Sequence, residues 1–534
     1  MPKENTIQLI TYPDSLGKDL YDLRQVLQED ITDAVGGVHI LPFCPSSADR
    51  GFAPLNFSDV DEKFGSWKDI KQISERYNVM SDLIVNHISV QSNIFKEYRS
   101  HAEASQYSDF FIGANKFAHH IPRHYHENEN KSHVNMHYGS QRFQHFFEHY
   151  PIRFIEWLMK HARKLDVIFH EYGVSRGLLK KIYRPRPGNP FIPFQFANRT
   201  THYLWCTFSK EQVDLDVHNP GVRKLFHDAI VKASENGISL IRLDAVGYAC
   251  KRRGTNNFLL PETFDLITWL ADVAHRHDVK TLPEVHNNYG LQLELAKRDG
   301  VDFVYDFQLP LLVLHALFSG HHCHLVRWLQ LRPDNMITTL DTHDGLPVPD
   351  VEGLLTKTEI EAITAHINNR GGNEAMRASG NNADNVDVYQ LNVTYFSAVD
   401  ENDDMYIVAR AIQFFVPGIP QVYYVGLLAG RNDLERLERT GIGRDINRHG
   451  YSREEIKGEL KRSVVKRLMK LMRFRNAHPA FDGVFTCKSS PPHILLLHWQ
   501  NKKIWCETHI DLRTHTVKIR YSDHKTDSLK EIIA

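Results

Sequence analysis

Eight short apolar runs, rich in β-branched residues, recur along this chain and restrict its fold more than any other feature. They occupy residues 6–11, 37–43, 79–87, 241–248, 280–286, 301–307, 336–344 and 419–425. Runs of this length without strict apolar–polar alternation read as strands buried on both faces, as in a parallel sheet. Most are separated by patterns that read as helix, such as the amphipathic stretch 20–27 between the first two. Eight strands alternating with helices predict an α/β chain folded as a (β/α)8 TIM barrel rather than an open sheet.

Two intervals are too long for simple crossovers. About 150 residues lie between the third and fourth runs, and about 55 between the seventh and the next helix. Excursions of that size after a strand are the loops on which barrels build their sites. Beyond the last barrel helix, expected over 464–474, the segments 494–499 and 516–521 are strand-like. The predicted organisation is barrel over 1–87, an inserted histidine-rich loop domain over 88–218 and barrel again over 219–345. An inserted loop subdomain over 346–400, barrel over 401–480 and a small C-terminal antiparallel β domain over 481–534 complete it. At 534 residues the chain has room for such a division.

Composition narrows the class of partner. The net charge is −1, which points away from nucleic acid and anionic membrane. No apolar run approaches the ~18 residues of a membrane span, and the N-terminus carries no basic-then-apolar leader. Six scattered cysteines without a CxxC pair suit free thiols in a reducing cytoplasm. Ten of the 32 histidines (His119, His120, His124, His126, His133, His137, His145, His149, His161 and His170) crowd into about 50 residues. That stretch reads either as a zinc-binding cluster or as a solvated insertion or dimer contact; our reading assigns it no metal.

The chemistry sits at the ends of four runs. In Ile241-Arg242-Leu243-Asp244 the arginine and aspartate share one strand face, and the arginine can hold the carboxylate ionised and aimed. Alone this is equally a structural ion pair. Glu284 stands among apolar residues, which predicts a raised pKa and an acid role, or else a buried ion pair. His87 ends the third run as a hydroxyl-binding or merely buried histidine, and His343 and Asp344 follow the seventh. Three acids at successive barrel strand ends meet the needs of retaining glycosyl transfer, in which one carboxylate attacks and another exchanges the proton.

The segments DLIVNH (82–87), IRLDAVGY (241–248), LPEVH (282–286) and LDTHD (340–344) resemble the four signature regions of the α-amylase superfamily. With QLITY (8–12), VHILPF (38–43), IYRPRP (182–187), VYYVGLLAG (422–430) and GRDINRH (443–449), the resemblance is closest to its sucrose phosphorylase group. It covers nearly the whole chain outside 117–178. It implies Asp244 as nucleophile, Glu284 as general acid/base and Asp344 as stabiliser of the oxocarbenium-like transition state. Asp49, His87, Arg242, His343 and Arg444 then clamp the glucosyl ring, and Tyr248 and Gln390 face the acceptor. Tyr183, Arg186, Asp387 and Tyr389 lie on loops admitting fructose or phosphate, where a guanidinium can fork onto phosphate oxygens. The resemblance implies sucrose and phosphate exchanged for glucose 1-phosphate and fructose, with no cofactor or metal, by a cytoplasmic monomer or homodimer. PSSADRGF (45–52) also resembles relatives acting on phosphorylated sucrose or glucosylglycerol, so the acceptor stays open between fructose, fructose 6-phosphate, glycerol and glycerate. A hydrolase, a transglucosidase or a non-catalytic carbohydrate-binding protein are the other classes.

Overall fold

The computed structural model describes residues 4–114, 117, 182–185, 189–378, 386–523 and 528–533. The ten clustered histidines and the helical pattern expected over 154–169 lie outside these. Eight parallel strands form one sheet: β1 (Gln8–Thr11), β2 (Gly37–Ile40), β3 (Asn78–Ile84), β4 (Ile238–Asp244), β5 (Lys280–Pro283), β6 (Val304–Asp306), β7 (Met336–Thr339) and β8 (Ile419–Tyr423). Their spatial order is β6-β7-β8-β1-β2-β3-β4-β5, and the Phe303 N–H donates to the Thr281 carbonyl at 3.2 Å, drawing the two edges together. The sheet is a nearly closed (β/α)8 barrel. Each run expected from sequence supplies a strand, but β3, β5 and β7 stop short of the polar residues that end their runs. Glu284 keeps one ladder bond, its N–H donating to the Leu243 carbonyl at 3.1 Å, and the rest enter the loops and small sheets above the barrel.

Period-two alternation sorts β4 into two faces. Ile241 and Leu243 join the large core under the outer helices, while Leu240 joins Met80, Leu282, Tyr305, Ile337 and Ile419 in a separate cluster inside the barrel. Continuing upward on that inner face, Leu240 is followed by Arg242 and Asp244, Met80 by Asp82, and Leu282 by Glu284. An apolar plug thus closes the bottom, and charge begins one layer above it. The register pairs Asp82 with Arg242 and Ile84 with Asp244.

The helix Pro220–Glu235, which feeds β4, shows how local sequence starts an element. Asn219 accepts hydrogen bonds from the Gly221 and Val222 N–H groups, a cap worth about 1 kcal/mol, and Pro220 opens the first turn. Val222, Phe226, Ala229, Ile230 and Ala233 form its buried stripe.

The loops carry small sheets. Strand His87–Ser89 pairs with Gln212–Asp214, Phe191–Gln195 with Thr201–Trp205, and Val386–Asn392 lies between Leu346–Pro347 and Asn373–Ala378. At the C-terminal end, Val484–Lys488, Ile494–Asn501, Ile504–Asp511, Thr516–Ser522 and Leu529–Ile533 form an antiparallel meander. Its inner face buries Leu495, Leu497 and Trp499, and the Trp499 indole donates to the Phe415 carbonyl at 2.7 Å, docking the meander on the helix Asp403–Phe415. All six cysteines are free thiols. Among the described residues no helix is long and apolar enough to cross a membrane.

Candidate active site

At the C-terminal ends of β3, β4 and β5, one guanidinium organises three acids. Arg242 places Nη1 2.5 Å from Asp82 Oδ1 and 2.7 Å from Asp244 Oδ1, and Nη2 3.0 Å from Glu284 Oε1. Asp82 in turn meets His39 Nε2 at 2.8 Å. Ala245, the residue after Asp244, adopts a left-handed backbone (φ 54°, ψ 20°) rare for a side chain with a Cβ. That turn points its N–H at Glu284 Oε2, 2.9 Å away. Arg242 thus bridges the carboxyls of Asp244 and Glu284.

Asp344 adds a fourth acid from the loop after β7. Arg444 Nη1 lies 2.6 Å from its Oδ1, and Arg444 Nη2 donates to Gln390 Oε1 at 2.8 Å. His343 stacks on Phe52 at 5.0 Å, and its carbonyl accepts from Arg448 Nε and Nη2 at 3.2 Å each. The other acid of this motif, Asp341, turns outward to pair with buried Arg410. Asp49 stands 3.9 Å from Arg448, and the His87 ring meets the Phe52 carbonyl at 2.8 Å. Asp49, His87, Asp244, Glu284, His343, Asp344 and Arg444 line a cleft of about 630 Å³, its open mouth included, with Phe52, Phe208, Tyr248, Phe258 and Tyr389 as aromatic walls; Arg242 and Gln390 lie behind this lining. His343 Nδ1 and the Gln390 amide nitrogen are buried without a hydrogen-bond partner.

Electrostatics correct one expectation from sequence. Burial would raise Glu284, but Arg242 and the hydrogen bond from His286 outweigh it and hold the carboxylate at about 2. Asp244 goes the other way: burial raises it well above the usual range, and Glu284, Asp82 and Asp344 add repulsion that its share of Arg242 does not cancel. Asp244 and Glu284 are coupled through Arg242, so the two opposite directions describe the pair: one carboxyl is held ionised and the other resists ionisation. The surroundings of Glu284 are cationic rather than apolar. Burial also opposes ionisation of Asp82, yet His39 and Arg242 keep it at about 2, and Arg444 holds Asp344 lower still. Burial keeps His343 neutral, its pKa pushed down to about 3. His286 is lifted to about 10 because Asp350, 3.3 Å from its Nδ1, and Glu284 outweigh its burial.

Glu284, His286 and Asp344 could offer ligand atoms within 4.8 Å of one another to a metal. The chemistry argues against it. A protonated His286 has no lone pair to give, and Arg242 and Arg444 already neutralise the two acids.

The acceptor side is assembled differently. Tyr183 stacks on Phe258 at 4.4 Å, beside Tyr248, and its hydroxyl accepts from Arg377 Nη1 at 3.1 Å. Arg377 also pairs with Glu352 at 3.0 Å. Asp387 is exposed and lines a separate groove with Val348 and Glu352 rather than the cleft. Arg186 lies outside the described residues. Sequence reasoning missed Asp82, His286, Asp350, Arg377 and Arg448. Asp82 and His286 had a signal, since each shares a motif with an assigned residue and His286 stands two places from Glu284. Asp350 and Arg377 had none, because only long-range folding brings them near.

Comparison with known proteins accords with this geometry. Residues 33–159 match the family described as alpha amylase, catalytic domain. The chain is 37% identical to the glucosylglycerol phosphorylase of Marinobacter adhaerens over 99% of both chains. It is 39% identical to the sucrose phosphorylase of Streptococcus mutans, over 98% of this chain and 99% of that one. The crystal structure of sucrose 6F-phosphate phosphorylase from Thermoanaerobacter thermosaccharolyticum superposes with a TM-score of 0.87 at 36% identity, covering 100% and 99% of the two chains. The chain therefore belongs to the sucrose phosphorylase group of the α-amylase family, and is a glycoside phosphorylase of the sucrose, glucosylglycerol and glucosylglycerate type.

Proposed function

We propose that this enzyme is a sucrose phosphorylase, converting sucrose and phosphate to α-D-glucose 1-phosphate and D-fructose by double displacement. The observation that carries the reading is the Arg242 bridge, which holds a nucleophile and a proton donor side by side at the foot of a polar cleft. Likeness to sucrose phosphorylases at 38–39% identity supports sucrose as donor. Asp244 attacks the anomeric carbon as the bond to fructose breaks, and Glu284 gives its proton to the leaving oxygen. A phosphate oxygen, deprotonated by Glu284, then attacks the same carbon and frees Asp244, so configuration is retained.

The working protonation state is reached on binding. The proton of the coupled pair then passes to Glu284 beside the glycosidic oxygen, while positive charge growing at the anomeric carbon favours an ionised Asp244. Asp344, held ionised by Arg444, stabilises the same charge. Asp49, His87, Arg242, His343 and Arg444 grip the glucosyl ring, and Tyr248 and Gln390 face the acceptor. Arg186, with Tyr183 and Tyr389, receives fructose and phosphate in turn. Neither cofactor nor metal takes part.

Incubating the enzyme with phosphate and, separately, sucrose, sucrose 6′-phosphate, glucosylglycerol and glucosylglycerate, and scoring glucose 1-phosphate release, tests the reading. Sucrose should give the highest kcat/KM. A higher value for another donor would keep the chemistry and replace the acceptor; free glucose from all four would make the enzyme a hydrolase.

A further inference from the structure

Outside the cleft, three helices bring two histidines and a glutamate to one point. His315 comes from helix Leu309–Ser319, His324 from Cys323–Leu331 and Glu359 from Lys357–Asn369. None of the three lines the catalytic cleft. His315 Nε2 lies 3.1 Å and His324 Nε2 3.0 Å from the same oxygen, Glu359 Oε1. All three atoms fall within 4.8 Å of one another. A tetrahedral zinc ion bound at ~2.0–2.1 Å sets neighbouring ligand atoms about 3.3 Å apart. Two of the three edges already have nearly that length.

The glutamate is also held in place. Its Oε2 accepts hydrogen bonds from the Thr356 N–H and hydroxyl, both at 2.8 Å. These bonds close a capping box at the helix start, fixing Oε2 and leaving Oε1 for the histidines.

We propose that His315, His324 and Glu359 form a site for one divalent transition-metal ion, zinc by its donor set, which staples the loop helix Lys357–Asn369 to two outer barrel helices. The ion is structural and lies apart from the chemistry. It ties down the segment that leads into the sheet carrying Tyr389 and Gln390.

The test uses the full-length enzyme stripped by chelator dialysis. Zinc is titrated against a chromophoric competitor in wild type and in the H315Q/H324Q double variant. The quantity read is the difference in tight equivalents, because the histidines of 119–170 can take zinc in both proteins. Wild type should hold one more equivalent, bound at least about 100-fold more tightly than at the altered site. Zinc should raise its Tm while leaving the turnover rate unchanged. Equal stoichiometry in the two folded proteins would overturn the site. Should the variant fail to fold, anomalous scattering at the zinc edge from wild-type crystals grown with zinc decides instead. A peak between the three side chains supports the site, and its absence there overturns it.

Discussion

The two ends of the cleft are held in different ways. At the donor end Asp244, Glu284 and Asp82 ride on strand ends, share Arg242 and are buried, with Asp344 pinned by Arg444. At the acceptor end Tyr183 and Tyr389 come from loops, Arg377 is tied to an exposed glutamate, and Asp387 faces away from the cleft. A strand end cannot shift without breaking the barrel ladder, whereas a loop can change length and sequence at little cost to the core. On the proposed reading the donor pole sets the reaction and the acceptor pole selects the acceptor. Changes at the donor pole should abolish turnover, and changes at the acceptor pole should redirect it.

The largest effect is expected from Asp244→Asn. It should lower turnover with every acceptor by several orders of magnitude and leave no glucosyl-enzyme in mass spectra of the quenched reaction. Turnover near wild type would remove Asp244 from the nucleophile role. Glu284→Gln should lose about 10²–10⁴-fold with sucrose but far less with α-glucosyl fluoride, whose leaving group needs no proton. Equal losses with both donors would take the acid role from Glu284.

Smaller effects test the other pole. If Arg186 supplies two charge-assisted bonds to phosphate, each worth about 1.5–3 kcal/mol, Arg186→Ala should raise KM for phosphate and shift product from glucose 1-phosphate towards glucose. Glucosyl-enzyme formation should change little, and an unchanged product ratio would assign phosphate to another group. Arg377→Ala removes the 3.1 Å hydrogen bond to Tyr183. One such bond is worth about 0.5–1.5 kcal/mol, so the acceptor KM should rise by roughly 2–10-fold with glucosyl fluoride hydrolysis preserved. A matching fall in hydrolysis would show that the two poles are not separable.

The smallest effect concerns pH. Asp82 and Glu284, held at about 2, contribute stability that is complete above the ordinary carboxyl values and fades as pH falls towards 2. His286, raised from 6.5 to about 10, contributes below pH 6.5 and loses its share as pH climbs towards 10. Tm should therefore decline along an alkaline limb that His286→Gln flattens. An identical limb in both proteins would mean His286 is not charged in the folded enzyme.

Strand content and barrel closure were legible because each run of buried β-branched residues is a local signal. The polar residue ending each run pointed to the cleft for the same reason, since period two sets which side chains share a face. That logic placed Arg242 beneath Asp244 before any fold was in view. It did not extend across strands. Asp82 opposite Arg242, Arg377 reaching Tyr183 from 194 positions away and Asp350 reaching His286 from 64 depend on register and loop path, which one segment does not encode.

Protonation was the other blind spot. Glu284 reads as a carboxyl among apolar neighbours because its chain neighbours are apolar, yet its spatial neighbours are Arg242, His286 and the Ala245 N–H. The sequence by itself determined which residues stand at the barrel mouth, because alternation and strand ends are written locally. Only the tertiary structure decided which charges surround each of them, because a pKa answers to charges a few ångströms away, however distant along the chain.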